Sequence, residues 1–135
     1  MSARLPAIIL GGTGYVAGEL LRLVLGHPRL TLAAIASDSQ PGEPVALAFP
    51  HLAAVCGELQ YVSIGQATEL AAQLPRSAVL AAAPHGVSHK LLDALLTRAA
   101  TAGTKPTVVD ISADFRYADL GEYERVYQHA HGAPA

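Results

Sequence analysis

The chain has 135 residues, the size of one ordinary domain with room for a sizeable core. Half of the residues are apolar, Trp is absent and Phe is rare, so the core must be built of Ala, Leu, Val and Ile, as in layered α/β domains. A net charge of −2 without a basic run argues against a nucleic-acid partner, no apolar stretch is long enough to span a bilayer, and the lone Cys56 excludes an internal disulfide or a paired-cysteine metal site.

The opening segment MSARLPA does not read as a signal peptide, because Gly and Thr soon interrupt the apolar run, so a cytoplasmic protein is expected. Ile8 to Leu10 is the heart of a buried strand. Leu20, Leu21, Val24 and Leu25 fall on one face of a helix, which Gly26 and Pro28 stop. Leu30 to Ser37 reads as a second strand and Asp38 to Pro44 as a loop of turn formers. The stretch from there to Gly57 is ambiguous, and LQYVSI (Leu59 to Ile64) reads as a third strand. Gly65 to Pro75 is a short helix and Ser77 to Pro84 a fourth strand. His85 to Gly103 is a helix closed by its glycine, Thr107 to Ser112 a fifth strand, and Asp119 to Tyr127 a last helix.

Strands that are continuous apolar runs, alternating with helices, predict a parallel sheet covered on both faces. Ligands of such sheets bind beyond the carboxyl ends of the strands. The segments to read are therefore Gly11 to Ala17, Ser37 to Ser39, Pro84 to Ser88 and Ser112 to Arg116.

The first of these is glycine-rich. Gly11, Gly14 and Ala17 form GxxGxxA, and Gly12, Gly14 and Ala17 also fit GxGxxA. One glycine permits a tight turn, another lets backbone amides approach a phosphate at a helix N-terminus, and a small third residue lets helix and strand pack closely. The placement between a strand and a helix is the context that a dinucleotide fingerprint requires; the plain alternative is a merely tight turn. On this reading Gly11, Thr13, Gly14, Tyr15 and Val16 are candidate coenzyme contacts. Extended short-chain dehydrogenases share such a turn but use a Tyr-x-x-x-Lys pair. Four positions after Tyr15, Tyr61, Tyr117, Tyr123 and Tyr127 stand Glu19, Gly65, Gly121, Tyr127 and His131, and none is Lys.

The stretches GGTGYVAGE, ELLRLVLGHPRL, FPHL, APHGVSHKL and VVDISADFRYADLGEYERVYQHAHGAP together resemble the N-terminal part of the N-acetyl-γ-glutamyl-phosphate reductase family, over essentially the whole chain. The resemblance implies a Rossmann-type, doubly wound parallel sheet, expected here to lack its last strand and the substrate domain. It also implies arginine biosynthesis. An acyl phosphate is reduced to an aldehyde: a cysteine thiolate displaces phosphate, and NADPH delivers hydride to the thioester. In the family that cysteine lies in an Asn-Pro-Gly-Cys-type segment downstream of SADFR, beyond Ala135, so no catalytic residue is expected within this chain. Cys56, in AAVCGEL, reads as small apolar filler. The whole of residues 1–135 is then an NAD(P)-binding domain, read as an N-terminal piece of a longer, homo-oligomeric enzyme acting on a small acyl phosphate, with neither nucleic acid nor membrane as partner. Two alternatives stand beside it: a paralogue reducing a carrier-protein-linked aminoadipyl phosphate in lysine biosynthesis, and a non-catalytic dinucleotide-binding regulatory module.

The resemblance carries further residues. Pro84, His85 and Gly86 border coenzyme and active site in the family; turn chemistry alone is the alternative. By similarity to aspartate-semialdehyde dehydrogenases, Arg116 is the candidate holder of the substrate phosphate and Ser112 a neighbouring contact, against a simple surface ion pair of Arg116 with Asp114 or Asp119. Asp110 reads as a structural acceptor. The family's TSR, near the coenzyme 2′-phosphate, stands here as Ala36, Ser37, Asp38. Ser37 and Ser39 are thus coenzyme candidates. NADP is the expected coenzyme, with NAD also open because the carboxylate of Asp38 would repel a 2′-phosphate and suit a ribose hydroxyl. His85 with His89, and His129 with His131, have metal-like spacing but no completing ligand, and no metal is expected.

Overall fold

The computed structural model describes residues 2–128 and 130–131. In chain order the elements are β1 (Leu5–Leu10), α1 (Tyr15–Leu25), β2 (Leu30–Ala36), α2 (Val45–Ala48), a 3-10 turn (Pro50–Leu52), α3 (Ala53–Cys56), α4 (Ile64–Gln73), β3 (Arg76–Ala81), α5 (Ser88–Ala102), β4 (Lys105–Asp110) and α6 (Leu120–Tyr127). The strands form one parallel sheet in the order β2-β1-β3-β4. With β1 central, the chain runs outward to β2, then returns past β1 to β3 and β4. The direction reverses between β1 and β3, which is where a parallel sheet opens a ligand crevice.

The elements follow from the apolar pattern. Ala7 to Leu10 have no exposed surface, as suits a central strand covered on both faces. On one face Ile9 and Ala7 pack with Ala17, Leu21 and Val24 of α1 and with Val45, Phe49, Leu52 and Tyr61. On the other, Ile8 and Leu10 pack with Ala67 and Ala71 of α4 and Leu92 and Leu95 of α5. α4 begins with a capping box in which Ser63 and Gln66 satisfy one another's amides. α5 ends at Gly103, whose left-handed backbone (φ 77°) lets its amide reach back to the last turn.

One expectation is corrected. LQYVSI is not a strand. Val62 alone bridges to Ala36 of β2, and Gln60 bridges antiparallel to Pro44. Tyr61 exchanges backbone bonds with Gly42 and Glu43 instead, which turns its ring into the core. The described sheet therefore has four strands, and the segments PHG and SADFR follow β3 and β4. The ambiguous stretch is a chain of short helical turns in which Cys56 is buried against Phe49, Leu52 and Tyr61. Among the described residues no helix is long and apolar enough to cross a membrane.

Candidate coenzyme and phosphate site

The glycine turn separates into distinct tasks. Gly11 has φ +75°, and a β-carbon there would lie 2.7 Å from the Ala83 amide nitrogen, so β1 and the end of β3 meet on its bare backbone. A β-carbon on Gly12 would strike Ile35 at 2.6 Å. The Gly12 carbonyl accepts the Tyr61 hydroxyl at 2.8 Å, and burial, with a further contribution from Cys56, pushes that phenol up to about 12. Gly14 differs: nothing lies within 4 Å of where its β-carbon would stand. It is the N-cap of α1, which has no side-chain cap and no acidic residue in its first turn. Unpaired amides, a positive helix end and open space coincide there, as a phosphate requires.

That space belongs to a cleft of about 440 Å³ lined by Gly11, Thr13, Gly14, Ser37, Asp38, Ser39, Ile64, Pro84 and neighbours. Six predicted coenzyme residues from three strand ends thus meet in one place. The Ser37 and Ser39 hydroxyls are 2.9 Å apart and bonded to one another. Asp38 lines the cleft and also accepts the Ile64 amide at 2.8 Å, joining the end of β2 to the start of α4. Tyr15 is fully exposed and borders a neighbouring groove with Thr13, Gly14 and His51.

A second cleft, of about 260 Å³, adjoins the first through Ala82, Ala83 and Pro84, and adds Val16, His85, Ile111 and Ser112. The Nδ1 atom of His85 accepts the Ala113 amide at 2.8 Å, which leaves the proton of the neutral ring on Nε2. Ser112 donates to Asp110 at 2.9 Å and accepts the Asp114 amide at 3.1 Å, so its hydroxyl is committed to its own turn. Asp110 also accepts the Ser88 hydroxyl at 2.8 Å, as a structural acceptor should.

Beyond Ser112 lies a third cavity, of about 450 Å³, where Arg116 stands with Leu92, Val108, Asp110 and Phe115. Arg116 forms no ion pair with Asp114 or Asp119; its guanidinium donates to the Tyr127 hydroxyl at 3.3 Å. The structure thus separates Arg116 from the glycine cleft and links the two through Ser112, His85 and Pro84.

The sequence did not disclose the centre of this arrangement. Asp114, almost wholly buried, accepts the Gly86 amide at 2.9 Å, the His89 amide at 3.0 Å, the His89 ring at 2.7 Å and the Tyr123 hydroxyl at 2.9 Å. Burial alone would raise its pKa; these donors outweigh it and hold the carboxyl well below the ordinary carboxylate range. Tyr123 is pushed up to about 12 by burial and by its bond to Asp114. Gly86 is therefore a positive-φ joint (φ 78°) tied down behind the cleft. The rings of His85 and His89 serve Ala113 and Asp114, and the His131 ring meets the Asp114 carbonyl. His129 lies outside the described residues.

Known proteins share the fold and the family. The RSP protein, a Rex-family repressor solved with β-NADH and also with β-NAD+ and operator DNA, shares the fold at TM-scores of 0.55–0.56 and 10–11% identity, over 93% of this chain and about 60% of its own. Proteins named N-acetyl-γ-glutamyl-phosphate reductase from Pseudomonas aeruginosa PAO1, Psychrobacter sp. PRwf-1 and Rhodospirillum rubrum are 45%, 40% and 38% identical over 94%, 96% and 98% of this chain. The chain spans only 34–36% of those relatives' length. The family model for the semialdehyde dehydrogenase NAD-binding domain matches residues 6–133, and with the glycine turn at the β1–β3 crevice this places the chain in that family.

Proposed function

We propose that residues 1–135 are the coenzyme-binding part of an NADP-dependent reductase that converts N-acetyl-γ-glutamyl phosphate to N-acetylglutamate semialdehyde and phosphate. The observation that carries the reading is the uncapped, open α1 N-terminus at Gly14, set in a cleft that also gathers Ser37, Ser39 and Pro84. The names of the relatives supply the substrate. Gly11, Thr13, Gly14 and Val16 would hold the pyrophosphate side of the coenzyme, with Tyr15 at its rim, Ser37 and Ser39 the adenosine end, and Pro84, His85 and Gly86 the opposite end. The coenzyme supplies hydride.

Arg116 is the substrate-side cation. Its planar fork suits a phosphate, and it makes no ion pair among the described residues. Ser112 sets the turn that presents it. The thiol that such a reaction needs is not Cys56, whose burial pushes its pKa up and so keeps it protonated. We assign the nucleophile and the substrate domain to polypeptide outside these residues, and assign the chain itself coenzyme binding without reduction.

Calorimetric titration of the chain with NADP and NAD tests this directly. Saturable binding of NADP, with no turnover of acyl phosphate, is the expected result. Absence of binding to either dinucleotide would reject the reading.

A further inference from the structure

At the pole of the sheet opposite the coenzyme cleft lies a cavity of about 680 Å³, larger than any of the three linked clefts at the other end. Ser2, Arg4, His27, Arg29 and Arg76 contribute its polar lining, and no acidic side chain does. The register explains why the cations converge. Leu5 pairs with Leu30, so the residues just before them, Arg4 and Arg29, are neighbours on adjacent strands. Ala7 pairs with Ala78, which sets Arg76 level with Leu5, and Arg76 pairs directly with Lys105 on the far side. Arg4 and Arg29 thus stand one residue before the level of Arg76 and Lys105, at the starts of strands spaced about 5 Å apart, and the three arginines line the cavity. His27 adds a donor, since its Nδ1 accepts the Arg29 amide at 3.1 Å and leaves the neutral ring's proton on Nε2.

The described residues offer these cations no carboxylate. The ion pairs present are Arg22–Glu19, Arg98–Glu69 and Arg125–Glu122, together with His89–Asp114, all involving other residues. Helix C-termini offset part of the charge, because α1, α4 and α5 all end at this pole. They do not require three arginines around one cavity, and like charges on paired strands repel. In a chain of net charge −2, such a concentration is a local reversal of sign.

We propose that this cavity is a binding site for a compact polyanion, a diphosphate or triphosphate group, separate from the coenzyme cleft. Arg29 and Arg76 clamp it from the two strands flanking β1, Arg4 contributes from between them and the His27 Nε2–H from the rim. The inference is independent of the reductase reading.

The test is calorimetric titration of the chain with pyrophosphate at low ionic strength, in the presence of saturating NADP so that the coenzyme cleft is occupied. The Gly14→Ser variant replaces that block if NADP does not bind. Pyrophosphate should bind more tightly than orthophosphate. Arg76→Gln and Arg29→Gln should each weaken it about tenfold, the scale of one charge-assisted contact. Arg76→Lys, which keeps the charge, should retain most of the affinity and guards against a folding artefact. ADP binding equal to pyrophosphate would mark the diphosphate alone as the ligand, and tighter ADP binding a nucleotide. No preference for pyrophosphate over orthophosphate, or unchanged affinity in both Gln variants, would overturn the proposal.

Discussion

The Asp114 carboxylate accepts the Gly86 amide at 2.9 Å across 28 positions of sequence. With the His89 and Ser88 bonds beside it, this joins the turn after β3 to the turn after β4. The loop that lines the glycine cleft and the loop that carries Arg116 are thus one rigid piece, and neither can shift without the other.

Asp114→Asn tests that coupling. An amide keeps the shape but turns an NH2 group towards donors that need an acceptor. Loss of this buried charge-assisted set should cost about 3 kcal/mol, read by denaturant unfolding. An unchanged midpoint would mean that the network forms without contributing to stability.

The same residue sets an acid limit. Its folded pKa is depressed below the unfolded value of 3.8, so its stabilisation is complete above the unfolded pKa and is lost as pH falls from there towards the lower folded value. Stability measured from about pH 5 downward should therefore fall with acid, and the slope should be shallower in Asp114→Asn.

Two glycines in one turn should respond to substitution in opposite ways. Gly11→Ala forces a β-carbon into a positive-φ residue and against Ala83, and should cost about 2 kcal/mol or more of stability. Gly14 has extended backbone (φ −85°, ψ 173°) and empty space before it. Gly14→Ser should leave the melting temperature nearly unchanged, because Ser caps helices well. It should weaken NADP about tenfold by occupying the amides a phosphate would use. Equal effects of the two changes on folding would refute the division of labour.

Asp38 is both a cleft residue and the acceptor for the Ile64 amide. Asp38→Asn keeps that bond through its carbonyl oxygen and removes the charge. The NADP-to-NAD affinity ratio should rise about tenfold if the carboxylate faces the 2′ position. Asp38→Arg loses the Ile64 bond as well and should also destabilise the start of α4. An unchanged ratio in Asp38→Asn would pass coenzyme selection to Ser37 and Ser39.

Burial pushes the Cys56 thiol pKa up, so alkylation by iodoacetamide at neutral pH should be slow in the folded chain and fast in denaturant. Cys56→Ser should leave NADP affinity unchanged. A marked loss would give Cys56 a role beyond filling the space beside Tyr61.

The parallel α/β architecture, the glycine turn and the strand-end loops were legible because they rest on local pattern: apolar runs, helical spacing and turn formers. LQYVSI misled because Tyr61 and Val62 have strand-like chemistry, yet their backbone partners are Glu43 and Ile35, chosen by the loop between β2 and α4. Asp114 was hidden for a related reason. Its partners lie 28, 25 and 9 positions away, and nothing in SADFR marks that aspartate as buried. Arg116 was singled out by resemblance alone, and its separation from the glycine cleft depends on which face of β4 the turn leaves, a tertiary fact.

The outer rim of β4 also decides where a further strand could join. Lys105 donates its amide to Pro75 and Ile111 donates to Ala81, so by alternation the odd-numbered amides face β3 and the even-numbered positions face outward. Pro106 falls on the outward side and has no proton to offer. Only Val108 and Asp110 present outward amides, both in the half of the strand nearest Ser112. A neighbour that extends the sheet would find outward amide donors only along that half, beside the clefts, while at Pro106 it would meet a carbonyl acceptor alone.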